Sequence, residues 1–140
     1  MPSLAIPAVG TLFQRETDTS GQYETMADVV GIGGPNQSRE TIDVTNLNST
    51  GGRREFIGSF RDSGEVALNM NYVFANLLNM MSDFEDDDVH GYRIVLPDGV
   101  GLAFDAWVTA VPLDIQTGDA IKMNVTFKVT GVVDIISSVD

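Results

Sequence analysis

His90 is the single histidine of the chain and cysteine is absent, so imidazole and thiolate chemistry have almost nothing to draw on. What is plentiful is carboxylate. Asp83, Glu85, Asp86, Asp87 and Asp88 put five acids into six residues, with His90 just beyond them. Oxygen ligands beside one imidazole are the type of group that holds a divalent cation. The run lacks the glycine and the alternation of an EF-hand loop, however, and reads better as a solvated acidic turn. Zinc would need three or four N, S or O ligands, which one His and no Cys make improbable. No Gly-x-Ser-x-Gly elbow marks a nucleophile. Acid pairs of the glycosidase kind are unmarked among so many acids. Gly31, Gly33 and Gly34 before Pro35 do not form G-x-G-x-x-G, and read as the turn between two strands. The expectation is a protein that is not an enzyme, with no cofactor and no metal.

The elements that would position any site are mostly strands. Residues 23–32 read as an imperfect strand and 38–45 as a second. In a third, 64–72, Val66, Leu68, Met70 and Tyr72 alternate with Glu65, Ala67, Asn69 and Asn71. Period 2 is the strand signature. Between the second and third lies a long polar run, 46–63, in which a loop without structure of its own is expected; such loops are usually functional or disordered. One helix is expected at about 73–84. There Phe74, Leu77, Leu78, Met81 and Phe84 fall on one stripe, opposite Asn76, Asn79, Ser82 and Asp83. That stripe is expected to pack on the sheet, with Met80 and Met81 also serving as packing residues. Residues 92–96 and 102–111 form a hairpin around Pro97 and Gly99. The last strand, 120–132, turns Ile121, Met123, Val125, Phe127 and Val129 inward and Lys122, Asn124, Thr126, Lys128 and Thr130 outward. The flanks are an N-terminal arm, 1–22, whose part from 14 on is polar and loop-like, and a C-terminal tail, 133–140. The fold class is mainly β: an antiparallel β-sandwich or rolled barrel with one flanking helix.

Length and charge set further bounds. A chain of 140 residues with 43% hydrophobic residues makes one domain with a real core. The net charge of −12 comes from 20 acids against 8 bases. Such a surface repels duplex DNA instead of neutralising its phosphates, but suits a protein that sits beside DNA without gripping it. No apolar run reaches the length of a membrane span, and the N-terminus lacks the basic region of a secretory signal.

An ordered set of segments carries a resemblance. Gly34 and Pro35, then 38–45 (SRETIDVT), 51–57 (GGRREFI), Asp62 and 64–66 (GEV) are followed by 92–99 (YRIVLPDG), 104–109 (FDAWVT) and 125–131 (VTFKVTG). Together they resemble the major tail tube proteins of long-tailed bacteriophages, over roughly 23–132. The resemblance implies a subunit that forms hexameric rings, which stack into a hollow tube for DNA ejection into the host. It implies a virion protein assembled in the host cytoplasm. Its implied partners are further copies of itself, the tape measure protein, the tail terminator and the distal tail proteins, with DNA passing through unbound. On this resemblance the minimal form is expected, one tail tube domain over 1–140 without an extra immunoglobulin-like domain. The resemblance assigns ring stacking to the loop 46–63, with Asn46, Gly51, Gly52, Arg53, Arg54, Phe56 and Arg61 as its contact residues. Its arginines are expected to meet acids of a neighbouring subunit, such as 85–88. Glu65, Ala67, Asn69 and Asn71 are the candidate lining of the lumen. Lys122 and Lys128 complicate a uniformly acidic lumen: either they pair with nearby acids or their face points elsewhere.

Two alternatives stand beside this. One is the tube of a contractile tail, a gene-transfer particle or a type VI-like secretion system. The other is a soluble β-sandwich that binds carbohydrate, for which Trp107 is the single outward aromatic that sugar recognition would use.

Overall fold

The computed structural model describes residues 5–17 and 21–138. Ten strands and one helix follow in the order β1 Leu12–Glu16, β2 Tyr23–Thr25, β3 Val29–Gly33, β4 Ser38–Asp43, β5 Phe56–Asp62, β6 Glu65–Asn71, α1 Phe74–Glu85, β7 His90–Val95, β8 Gly101–Ala110, β9 Leu113–Asp114 and β10 Lys122–Ile136. One antiparallel sheet runs β2-β1-β7-β8-β10-β6-β3, with β9 added beside β10; β4 and β5 form a separate two-stranded unit. The mainly-β class with a single helix is therefore the observed one.

The large sheet is rolled. β1 and β10 are three strands apart in it. A flat sheet would hold them about 14 Å apart at the usual strand spacing. Instead the rings of Phe13 (β1) and Phe127 (β10) have centroids 5.4 Å apart, with Tyr92 of β7 at 5.8 Å from Phe13 and 4.7 Å from Phe127. This curvature wraps the apolar faces around one core of Phe13, Val66, Leu68, Met70, Tyr92, Phe104, Met123, Val125 and Phe127. The alternation read for β6 and β10 holds: Val66, Leu68 and Met70 are buried, as are Met123, Val125, Phe127 and Val129, while Ile121 lies outside.

Four boundaries differ from the sequence reading. Residues 12–16, placed in an arm and a loop, form β1, which pairs with β7 and β2. Only Phe13 of that strand is buried, so its sequence shows no alternation to read. The strand 23–32 is two strands, broken where Asp28 takes a positive φ of 56°. The run 46–63 is not all loop: Phe56–Asp62 is β5, paired with β4 from Ser38↔Asp62 to Asp43↔Phe56. Its interior glycine and its lack of any buried face hide the period-2 pattern. Residues 133–136, expected in the tail, extend β10 along β8, through Ile136↔Gly101. Of the expected terminal segments, residues 1–4, 18–20 and 139–140 lie outside the described residues.

The helix is turned over relative to its amphipathic pattern. Of the expected core stripe only Leu77 is partly buried. Phe74 is 62% exposed, Leu78 54%, Phe84 47% and Met81 39%. The buried residues of α1 are Asn76, Met80 and Asp83, at i, i+4 and i+7 on another face. Two specific polar anchors outweigh the apolar stripe. Asn76 donates through Nδ2 to the carbonyl of Ala27 at 2.8 Å. Asp83 is held by Arg15 and Tyr92. The one acid read as part of a solvated turn is thus buried, since it has charged and hydrogen-bonding partners waiting inside.

A direct consequence can be measured on the isolated subunit. Met80→Ala should cost about 2–5 kcal/mol, because it empties a fully packed position. Leu78→Asn should change stability by no more than about 0.5 kcal/mol, because the side chain touches mainly solvent. Chemical denaturation of the two variants decides; a larger loss for Leu78→Asn would mean that the stripe faces the core after all.

Candidate functional site

Two surfaces of the molecule gather the residues that the sequence singled out. The first is the β4–β5 hairpin. No residue of β4 or β5 is buried. Ile42 and Ile57 are cross-strand partners and both are exposed; Phe60 is 84% exposed. A two-stranded hairpin standing alone is at best marginally stable in water. This one is anchored at its base. The Gly64 N–H donates to Asp62 at 2.8 Å, and Lys128 Nζ lies 3.2 Å from the same carboxylate. These two bonds, that from the Gly64 N–H first, hold the Asp62 carboxyl below the ordinary carboxylate range. Gly64 itself has φ +77°, and a Cβ there would run into the carbonyl group of Asn36. The base of the hairpin can therefore approach the strand entry only because this residue is glycine.

The hairpin tip carries the residues expected to join rings. Asn46 and Ser49 close a turn by exchanging bonds: the Ser49 N–H donates to the Asn46 carbonyl at 3.0 Å, and the Asn46 N–H to Ser49 Oγ at 3.0 Å. Thr50–Gly52 form a short 3-10 turn in which Gly51 and Gly52 both have positive φ, 67° and 66°. Arg54 bonds Asp43 across the tip at 3.0 Å. Arg61 stands directly opposite Arg39, a like-charge pair that is unfavourable unless an anion lies near. Phe56 is exposed on β5. The structure thus brings Asn46, Gly51, Gly52, Arg53 and Arg54 to one tip, and strings Phe56 and Arg61 along the stem. An open cleft of about 1040 Å³ separates the stem from the distal half of β10, lined by Arg39, Phe60, Arg61, Thr130 and Val132 among others.

The second surface is the outer face of β3, β6 and β10. Cross-strand partners share a face, so the ladders place Asn69 beside Asn124 and Gly31, and Ala67 beside Thr126 and Gly33. Glu65 stands opposite Lys128, and Asn71 opposite Lys122. The four residues expected to line a lumen therefore lie on one wall. Its centre is small and uncharged, and its charges sit at the two ends. Lys122 and Lys128 belong to this same face, and the acid expected for Lys128 is present: Asp62.

A match to known proteins decides what such a molecule is. The family described as "Lambda phage tail tube protein, TTP" matches residues 10–135. The chain belongs to the lambda phage tail tube protein family. Solved structures agree with this on the fold. A chain from "Tail of empty GTA particle computed with helical refinement, C6 symmetry" is 22% identical, with a TM-score of 0.79 over 94% of this chain and 99% of that one. A chain of the sheath–tube complex of an extracellular contractile injection system has a TM-score of 0.72 at 13% identity, covering 95% and 92%. The SPP1 tail tube has a TM-score of 0.69 at 11% identity, covering 96% and 81%. Among curated proteins none matches the chain. As a tail tube protein it is a structural component of the virion tail. Among the described residues no helix is long and apolar enough to cross a membrane.

In this tail tube protein the helix is fixed by a buried polar cluster that sequence reasoning missed. Arg15 Nε and Nη2 donate to the two oxygens of Asp83 at 2.8 and 2.6 Å, a bidentate fork. The Tyr92 hydroxyl donates to Asp83 Oδ2 at 2.6 Å. His90 Nε2 lies 3.6 Å from Asp83 Oδ1 and 3.1 Å from Asp86 Oδ2. The bond to Asp83 raises the Arg15 pKa against the opposing effect of burial. The expected signal, a lone Arg in a polar strand and an acid among acids, is invisible in one dimension: the partners are 68 residues apart.

Burial first, and the bond to Asp83 second, push the Tyr92 hydroxyl far above its ordinary value of 10.0. The folded state therefore keeps this proton when the unfolded chain would release it. The contribution is complete below about pH 10 and is lost as pH rises beyond it, toward the raised folded value. Stability measured by denaturant should thus fall above about pH 10, and Tyr92→Phe should flatten that fall. An alkaline limb identical in the two proteins would remove Tyr92 from the account.

Proposed function

We propose that this chain forms hexameric rings that stack into a hollow tail tube, through which DNA leaves the particle. The observation that carries the reading is the β4–β5 hairpin, a whole element that buries nothing in its own subunit. Its exposed Ile42, Ile57 and Phe60 need a partner, and the partner that a tail tube protein has in quantity is itself. The hairpin and its tip, with Asn46, Gly51, Gly52, Arg53, Arg54, Phe56 and Arg61, bridge one ring to the next. Glu65, Ala67, Asn69 and Asn71, with Asn124 and Thr126 beside them, line the channel. The centre of this wall is small and uncharged and the protein is acidic, so DNA meets few cations and slides past.

The free edge of β3 and the short strand β2 end the sheet on its two sides. Pairing between subunits would remove such edges by closing all subunits into one barrel. The C6 symmetry of the gene transfer agent tail supports six subunits per ring. The tape measure protein inside, the terminator at one end and the distal tail proteins at the other complete the assembly in the host cytoplasm. The role is mechanical, without catalysis. The match to tubes of gene transfer agents and contractile systems keeps one variant of this reading open, and a sheath protein encoded beside this chain would select it.

Size-exclusion chromatography at rising concentration, with negative-stain microscopy of the largest fraction, tests the proposal. Growth into hollow rods is expected. A monomer that persists at high concentration would count against it, and glycan binding by that monomer through Trp107 would replace it.

A further inference from the structure

The outward stripe of α1 is a second apolar surface without cover. Phe74, Leu78, Met81 and Phe84 form it, and the helix cannot roll them inward. Its other face is locked by Asn76 on Ala27 and by Asp83 on Arg15 and Tyr92. Burying apolar side chains is favourable in proportion to the area removed from water, so the isolated subunit forgoes stabilisation here. The stripe runs at its C-terminal end into Glu85, Asp87 and Asp88, and α1 itself has no basic residue.

The chain carries one element with the complementary make-up. The β4–β5 hairpin with its tip holds Arg39, Arg53, Arg54 and Arg61, four of the eight basic residues of a chain with net charge −12. It also presents Ile42, Ile57 and Phe60 as exposed apolar side chains. Within one subunit α1 packs on β8, while β4 and β5 remain fully outside. We propose that the outward face of α1 is the seat for the β4–β5 hairpin of a second copy. The apolar stem lies on the helix stripe, and the tip arginines, Arg53 and Arg54, meet the acids that follow the helix.

The contact is heterologous, between two different surfaces of the same chain. It therefore propagates from copy to copy, where a symmetric helix–helix contact would close a dimer. The inference rests on the tube reading and names the contact that joins its subunits. The apolar stripe supplies affinity, and the charge pattern sets register and excludes the wrong partner.

The absence of cysteine makes a direct test possible. Ile57→Cys and Leu78→Cys are introduced together, the protein is assembled, and the tubes are treated with a mild oxidant. The expected result is a ladder of covalent multimers on a non-reducing gel, which neither single variant produces. Tubes that form normally but yield only monomer on the gel overturn the seat and leave the tube reading intact. Dimers from Leu78→Cys alone, as abundant as the ladder, would mean helix against helix and overturn it too. Wild-type protein that forms no rings or rods would instead sink the tube reading itself.

If the double variant does not assemble, charge reversal decides. Arg53→Glu with Arg54→Glu should raise the concentration needed for assembly by about tenfold or more. Adding Asp87→Lys and Asp88→Lys in the same chain should bring it back to the wild-type range. No recovery, with both proteins folded by circular dichroism, refutes the pairing.

Discussion

Asp83→Ala should destabilise the folded subunit by about 3–5 kcal/mol, the cost of leaving a buried partner charge without its counterpart. The side chain of Asp83 is fully buried and that of Arg15 is 12% exposed, so the pair is largely shielded from water. Tyr92 loses its acceptor in the same variant, and its hydroxyl is enclosed with it. The loss should appear in the denaturant midpoint, with an unchanged slope if the rest of the fold survives. A matched double variant, Arg15→Met with Asp83→Leu, should recover much of it, since apolar residues of similar volume often replace a buried ion pair without penalty. A loss below about 1 kcal/mol in Asp83→Ala would mean that the pair is not what holds the helix. The orientation of α1, and with it the exposed stripe, would then need another cause.

Deleting residues 50–54 should leave a folded monomer that no longer polymerises. The deleted residues include the 3-10 turn and both arginines of the tip, all of them exposed. None contributes to the core, so thermal unfolding should move little. On the proposed stacking role assembly is a different matter, because each subunit would offer the tip once for every contact along the tube. Rods should be missing at concentrations where the full chain forms them. Normal tubes from the deletion in negative-stain images would defeat the stacking role of the tip. The paired result separates two roles that a stability measurement alone would merge: Asp83→Ala weakens the subunit, and the deletion weakens only the assembly.

Period-2 alternation alone determined β6 and β10, because each presents one face to a core and one to water. Val66, Leu68 and Met70 against Glu65, Ala67 and Asn69 is such a case, and its buried set was legible residue by residue. The β7–β8 hairpin was legible from its turn chemistry, and the family from the ordered set of short segments. The sharing of one wall by Lys122, Lys128 and the lumen candidates was not legible. It follows from register, which depends on which strands meet.

The helix shows the limit most clearly. Its sequence determined that a helix of about three turns forms, and that one face is apolar. Which face turns inward was decided by tertiary structure. Arg15, Tyr92 and the Ala27 carbonyl lie far from α1 along the chain, and together they give Asp83 and Asn76 charge and hydrogen bonds at fixed points. A hydrophobic stripe is non-directional and loses only contact with a core when it stays outside. A buried carboxylate with a bidentate partner is directional, and costly to leave unpaired. Local pattern cannot weigh one against the other, because the partners exist only once the chain is folded. The same holds for β5, whose side chains find no core in their own subunit, so the amphipathic signal that marks the other strands was never written into it.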